Sequence, residues 1–130
     1  MGGLSGSGTE EPARADGADT ADEERLLASL GRRARSVNLA RVVRLLALLD
    51  AAEEGGLDER GRNEAESLAH QVVGSAGTFG YPAASVDAGV VEEWFAGDPP
   101  GSTATPGVDA GTVRATLVRL RTGFESPPQP

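Results

Sequence analysis

At 130 residues the chain has room for one compact domain with tails. It has no cysteine and one histidine, which excludes disulfides, thiol nucleophiles, cysteine metal sites and multi-histidine zinc centres. The net charge of -8 is uneven, because residues 1–24 carry seven acids against Arg14 alone, leaving about -2 for the rest.

Residues 1–21 are rich in Gly, Ser, Asp and Ala, with Leu4 as the single large apolar side chain. They cannot bury enough surface to offset the entropy of ordering, so a disordered acidic tail is expected there. The opening Met1-Gly2-Gly3-Leu4-Ser5-Gly6 lacks a basic segment and an apolar stretch, and no run of about 18 apolar residues follows. A cytoplasmic protein without membrane contact is the expectation.

The first helix is predicted from Thr20 or Asp22 to the Gly55-Gly56 stop, with Asp22, Glu23 and Glu24 near its positive end. Leu27, Leu30, Ala34 and Val37 form an apolar stripe, and Leu39, Val42, Leu46 and Leu49 continue it after a small phase shift. A segment this long is expected to bend, or to be two helices meeting near Ser36-Val37-Asn38. All 12 basic residues of the chain are arginine. Arg32, Arg33, Arg35, Arg41 and Arg44 cluster here without an aromatic neighbour, which reads as a solvated helix face and disfavours a nucleic-acid partner.

A second helix should begin near Leu57-Asp58 and pass through His70 to about Phe79. The third follows Pro82, a good first-turn residue, and carries Val86, Val90, Val91, Trp94 and Phe95 before Gly97. Asp98 to Gly107, with three prolines, is predicted as a loop. The fourth helix starts near Asp109, with Val113, Leu117, Leu120 and Phe124 on one face, and residues 126–130 are read as a frayed end. No strand-like alternation competes. The expected fold is all-α, an antiparallel four-helix bundle over residues 22–125.

The informative stretch surrounds the histidine. On a helical wheel with His70 at zero, Leu68, Val72 and Phe79 fall within about 20° of the opposite side, flanked by Ala65 and Ala76. His70 should therefore face solvent. Gly74 lies at about +40° and Gly77 at about -20°, so both glycines share its side and reduce the surface there to backbone. Each glycine inside a helix costs on the order of 0.5–1 kcal/mol relative to Ala. Close approach of another molecule to the imidazole would account for that cost. Gly80, before Tyr81-Pro82, is also readable as a helix C-cap. Neither dinucleotide spacing nor a P-loop is present, and nothing supports a serine hydrolase.

The run His70-Gln71-Val72-Val73-Gly74-Ser75-Ala76-Gly77-Thr78-Phe79-Gly80 resembles the signature of HPt domains, the histidine-containing phosphotransfer modules of two-component phosphorelays. That signature has a mid-helix histidine, an apolar residue two places on, often a basic residue three places on, glycine four places on, and small residues after it. Val73 departs from it, since many members of the family have lysine there. An arginine of the first helix, Arg41 or Arg44, is a candidate substitute.

The resemblance implies a phosphoryl carrier and not an enzyme with its own kinase core. His70 would be the phosphoacceptor, attacking the phosphoaspartate of a receiver domain and later returning the group to another aspartate. An imidazole, which can be neutral near pH 7, suits that work. Glu66, one turn earlier, is a candidate to orient the ring, Ser67 and Gln71 to contact the phosphoryl group, and Val73, Gly74 and Gly77 to form the docking face. No resident cofactor is implied, because the receiver supplies the Mg²⁺. Expected partners are a response-regulator receiver domain or a hybrid histidine kinase, with the chain itself monomeric. The competing reading is a binding module that docks such a partner without transferring phosphate.

Overall fold

The computed structural model describes residues 2–103 and 105–127, with side chains from residue 19 onward. Its elements are α1 (Gly2–Glu53), α2 (Glu59–Thr78), α3 (Pro82–Ala96) and α4 (Ala110–Phe124), and the described residues contain no strand. The chain divides into two units, Met1–Arg33 and Ala34–Pro130. The second unit contains all of α2, α3 and α4 with the C-terminal part of α1, and it is a four-helix bundle.

The helix boundaries follow local chemistry. Asp58 caps α2 by accepting a 2.8 Å hydrogen bond from the Gly61 N–H, and Asp109 caps α4 by accepting one of 2.8 Å from the Thr112 N–H. Pro82 opens α3 in the first turn, where its missing N–H costs nothing. At the end of α2, Gly80 has φ +92 and the Tyr81 N–H reaches back 2.9 Å to the Ala76 carbonyl, a Schellman closure. Gly80 is therefore a capping residue.

Helix α1 takes one of its two expected forms and departs from expectation in two other ways. It is continuous through Ser36-Val37-Asn38, where a junction of two helices was one of the two expected forms. It also runs through Thr20 and Asp22 without starting there. The tail expected to be disordered over 1–21 lies mostly outside the residues with described side chains. Finally, the stripe Leu27, Leu30 and Val37 is exposed, whereas Val42, Leu45, Leu48 and Leu49 are buried. Leu39 and Leu46, placed on the continuing stripe, are only partly buried against that core.

The core combines these α1 residues with Ala65, Ala69, Val72 and Ala76 of α2, Ala88, Val91, Trp94 and Phe95 of α3, and Val113, Leu117, Leu120 and Phe124 of α4. The α2 contribution is mostly alanine, so neighbouring helices can approach closely. Leu68, expected at the centre of that stripe, is only partly buried, and the buried face is turned toward Ala69. Val86 of α3 is 70% exposed. Tyr81, before α3, meets Phe124 at the end of α4 at a tilt, and the neighbours Trp94 and Phe95 meet edge to face within α3, each pair with centroids 5.0 Å apart.

Among the described residues two polar side chains are buried, Asn38 and Thr116, and the Thr116 hydroxyl donates to the Thr112 carbonyl at 2.9 Å. The Asn38 amide nitrogen donates to Ser75 Oγ at 3.0 Å and its oxygen accepts from Arg41 at 2.8 Å. Ion pairs fasten the outside, where Arg44 grips both oxygens of Glu64 on α2 and Arg114 of α4 reaches Asp50 and Glu53 of α1. Arg119 of α4 holds Asp87 of α3. In the loop before α4, Gly101 adopts φ +89 and donates to the Trp94 carbonyl at 2.7 Å. Of the predicted frayed end, Ser126 accepts a 2.9 Å bond from the Tyr81 hydroxyl, and residues 128–130 lie outside the described residues.

Candidate functional site

His70 lies two thirds of the way along α2, and its side chain is 74% exposed. The exposure follows from packing, since Ala65, Ala69, Val72 and Ala76 turn inward and leave the ring on the outer surface. The residue that touches it comes from another helix. Glu92 of α3 places Oε2 3.0 Å from His70 Nδ1. A carboxylate can only accept, so Nδ1 carries the proton of this bond, and in the neutral form of the ring Nε2 keeps its lone pair.

The residue expected to orient the ring is Glu66, but Glu66 faces Arg62 at 3.7 Å. Arg62 lies equally far from Asp98, so it draws the start of α2 toward the loop after α3. Glu92 takes the orienting position instead. Its spacing from His70 along the chain carries no helical signal, and only the antiparallel packing of α3 on α2 brings the two together.

The flanking residues divide. Gln71 donates to Ser67 Oγ at 3.2 Å, and both are exposed beside the histidine. Gly74 is also exposed, with nothing within 4 Å of the place a Cβ would occupy. Gly77 differs, because its Cβ would meet Ser85 Oγ of α3 at an ordinary 3.5 Å. Gly77 is thus partly a contact between helices. Ser85 donates to the Val73 carbonyl at 2.8 Å, and the Val73 side chain is partly buried against the core. Gly89, one turn from both Ser85 and Glu92 on α3, has open space at its Cβ position too. It extends the low surface from α2 onto α3.

Neither candidate arginine is a free cation aimed at His70. Arg44 is occupied by Glu64, whose hydrogen bonds raise the guanidinium pKa, and those same bonds hold the Glu64 carboxyl below its ordinary range. Arg41 donates to Asn38, within the chain of contacts that ends at Ser75.

A groove of about 670 Å³ opens elsewhere, lined by Tyr81 before α3, Pro82, Ala84 and Asp87 of α3 and Arg119 and Leu120 of α4. His70 does not line this groove and lies on the exposed surface of α2. Among the described residues no group of three or more His, Asp or Glu side chains could hold a metal ion. No described helix is long and apolar enough to cross a membrane. Comparisons with protein-family models, curated proteins and solved structures yield no match for this chain.

Proposed function

We propose that this domain is an HPt-like phosphohistidine carrier that accepts a phosphoryl group from a receiver-domain aspartate on His70 and passes it on. One observation carries the reading: an exposed imidazole in mid-helix has Nδ1 bound to Glu92, and Gly74 leaves the surface open one turn away. This is the arrangement of a nucleophile oriented by a carboxylate and approached by another protein.

In the transfer, the Nε2 lone pair attacks phosphorus, and the bond from phosphorus to the aspartyl oxygen breaks. The electron pair leaves on the aspartate carboxylate. The proton on Nδ1 stays in place, so the phosphorylated ring gains positive charge that Glu92 offsets. In the reverse direction the ring is the leaving group. The low surface over Gly74 and Gly89, with Val86 exposed on α3, is where the receiver docks, and its Mg²⁺ neutralises the phosphoryl oxygens.

Incubation with a phosphorylated receiver should place acid-labile, base-stable phosphate on the chain, and His70→Gln should abolish it. Label that persists in the variant overturns the reading.

The second reading, a docking module without transfer, draws on Val73, whose half-buried aliphatic side chain stands where the signature often has a lysine. It predicts receiver binding that is unchanged by His70→Ala, with no phosphohistidine under any cognate kinase.

A further inference from the structure

The N-terminal unit carries a surface that the His70 chemistry does not use. On α1, Leu26, Leu27 and Leu30 are 58%, 62% and 42% exposed. Single exposed leucines are ordinary, but these three fall within about 100° of one another around one helix turn. Their charged surroundings are ordered along the axis. Asp19, Asp22, Glu23 and Glu24 precede them, Arg32 and Arg33 follow, and Arg25, among the acids, is paired with Asp22. The helix surface therefore reads acid, leucine, arginine from its N-terminal side.

Such an order is complementary to itself in one direction only. Two copies side by side in parallel would set acids against acids and arginines against arginines. Reversed, Leu26 meets Leu30 of the second copy, and Glu23 stands opposite Arg33 of the second copy, each within about 40° of the contact line on the helical wheel. The two-fold relation repeats both contacts, as a closed symmetric dimer requires.

We propose that residues 19–33 are a self-association surface on which a second copy of this chain docks antiparallel. A helix pair of this length covers less than the roughly 1,200–2,000 Å² of a standard stable interface, so the dimer is weak and forms with rising concentration. This departs from the monomer that the HPt resemblance implies. It is independent of whether His70 carries phosphate.

Sedimentation equilibrium on the full chain tests it. Between about 10 µM and about 1 mM, the span in which a small interface populates both states, the mass should rise from 13.3 kDa toward twice that value. Glu23→Arg and Arg33→Glu each turn both charge contacts of a homodimer repulsive, and each should weaken association by at least about tenfold. An equimolar mixture makes both contacts attractive again and should associate like the original chain. Because the chain has no cysteine, mixing Leu26→Cys with Leu30→Cys under oxidation should give a crossed disulfide that reports the antiparallel register. A mass that stays monomeric at 1 mM overturns the proposal. So does a mixture that associates no better than either charge variant. A fall in melting temperature for monomeric Leu27→Glu would show that the stripe covers the chain's own bundle, and would overturn it as well.

Discussion

His70 Nδ1 and Glu92 Oε2 lie 3.0 Å apart, although 22 residues and a helix reversal separate them in the chain. The pair joins the outer edges of α2 and α3 and engages Nδ1 within the chain, leaving Nε2 toward solvent.

If His70 is the phosphoacceptor, Glu92→Gln keeps an acceptor for Nδ1 but removes the charge that offsets the phosphorylated ring. A hydrogen bond to a charged group contributes about 1.5–3 kcal/mol, so transfer from a phosphorylated receiver should slow by about tenfold or more. Glu92→Ala should slow it further, with the thermal midpoint nearly unchanged because the pair is at the surface. Equal rates for the three proteins would remove Glu92 from the mechanism.

Asn38 satisfies Ser75 and Arg41 from a buried position, so replacing it with leucine leaves polar groups without their partner. The cost should be about 1–3 kcal/mol, measured as a shift in the urea midpoint at unchanged slope. A more stable Asn38→Leu protein would mean that the polar contact is dispensable.

Two apolar residues of α3 should respond oppositely to truncation. Phe95 is fully buried, and Phe95→Ala should cost about 3–5 kcal/mol in chemical unfolding. Val86→Ala should stay within about 0.5 kcal/mol, because most of that side chain already meets water. Weakened receiver binding by Val86→Ala, with stability intact, is the result expected if the exposed valine belongs to the docking face.

Glycine substitutions separate fold from surface. A Cβ on Gly101 would lie 2.9 Å from Trp94 Nε1 at a φ of +89, so Gly101→Ala should destabilise the bundle and shift Trp94 fluorescence. Gly74 has a helical backbone and open space around it, so Gly74→Ala should stabilise the fold by about 0.5–1 kcal/mol. Gly74→Trp should leave circular dichroism unchanged and, if the proposed docking face is used, block receiver binding.

Two carboxylates set an acid limb to the stability curve. The hydrogen bonds from Arg44 lower the Glu64 pKa, with the charge of Arg44 acting in the same direction, and bonds from the Thr112 N–H and hydroxyl lower that of Asp109. Each contributes stability that is fully present above its unfolded-state pKa and lost as pH falls through its lowered folded value. Melting temperature should therefore drop below about pH 4, near the ordinary carboxylate range. Glu64→Gln and Asp109→Asn should each lower the neutral plateau and flatten the acid limb. An unchanged limb in both variants would assign acid sensitivity to other groups.

The four-helix class was legible in the chain because its signals are local. Asp58, Pro82, Gly97 and Asp109 mark helix ends through their own backbone chemistry, and Val113, Leu117, Leu120 and Phe124 repeat at the helical period. The exposure of His70 was legible for the same reason, since a wheel compares residues on one helix. The wheel was less accurate about the inward face, because Ala69 is buried as deeply as Val72 and carries almost no hydrophobic signal.

What the amino-acid order determined by itself was where α2, α3 and α4 begin and end and that the histidine points away from the apolar side. Tertiary packing decided the rest. It chose Glu92 over Glu66 as the carboxylate at the imidazole, placed Ser85 against Gly77, and made Asn38 a buried partner of Ser75 and not a break in α1. It also left Leu27 and Leu30 outside the core although their spacing matches residues that are inside. The physical reason is common to these cases: spacing along a helix fixes the direction of a side chain, whereas what stands in that direction depends on which other helix the chain folds back beside it.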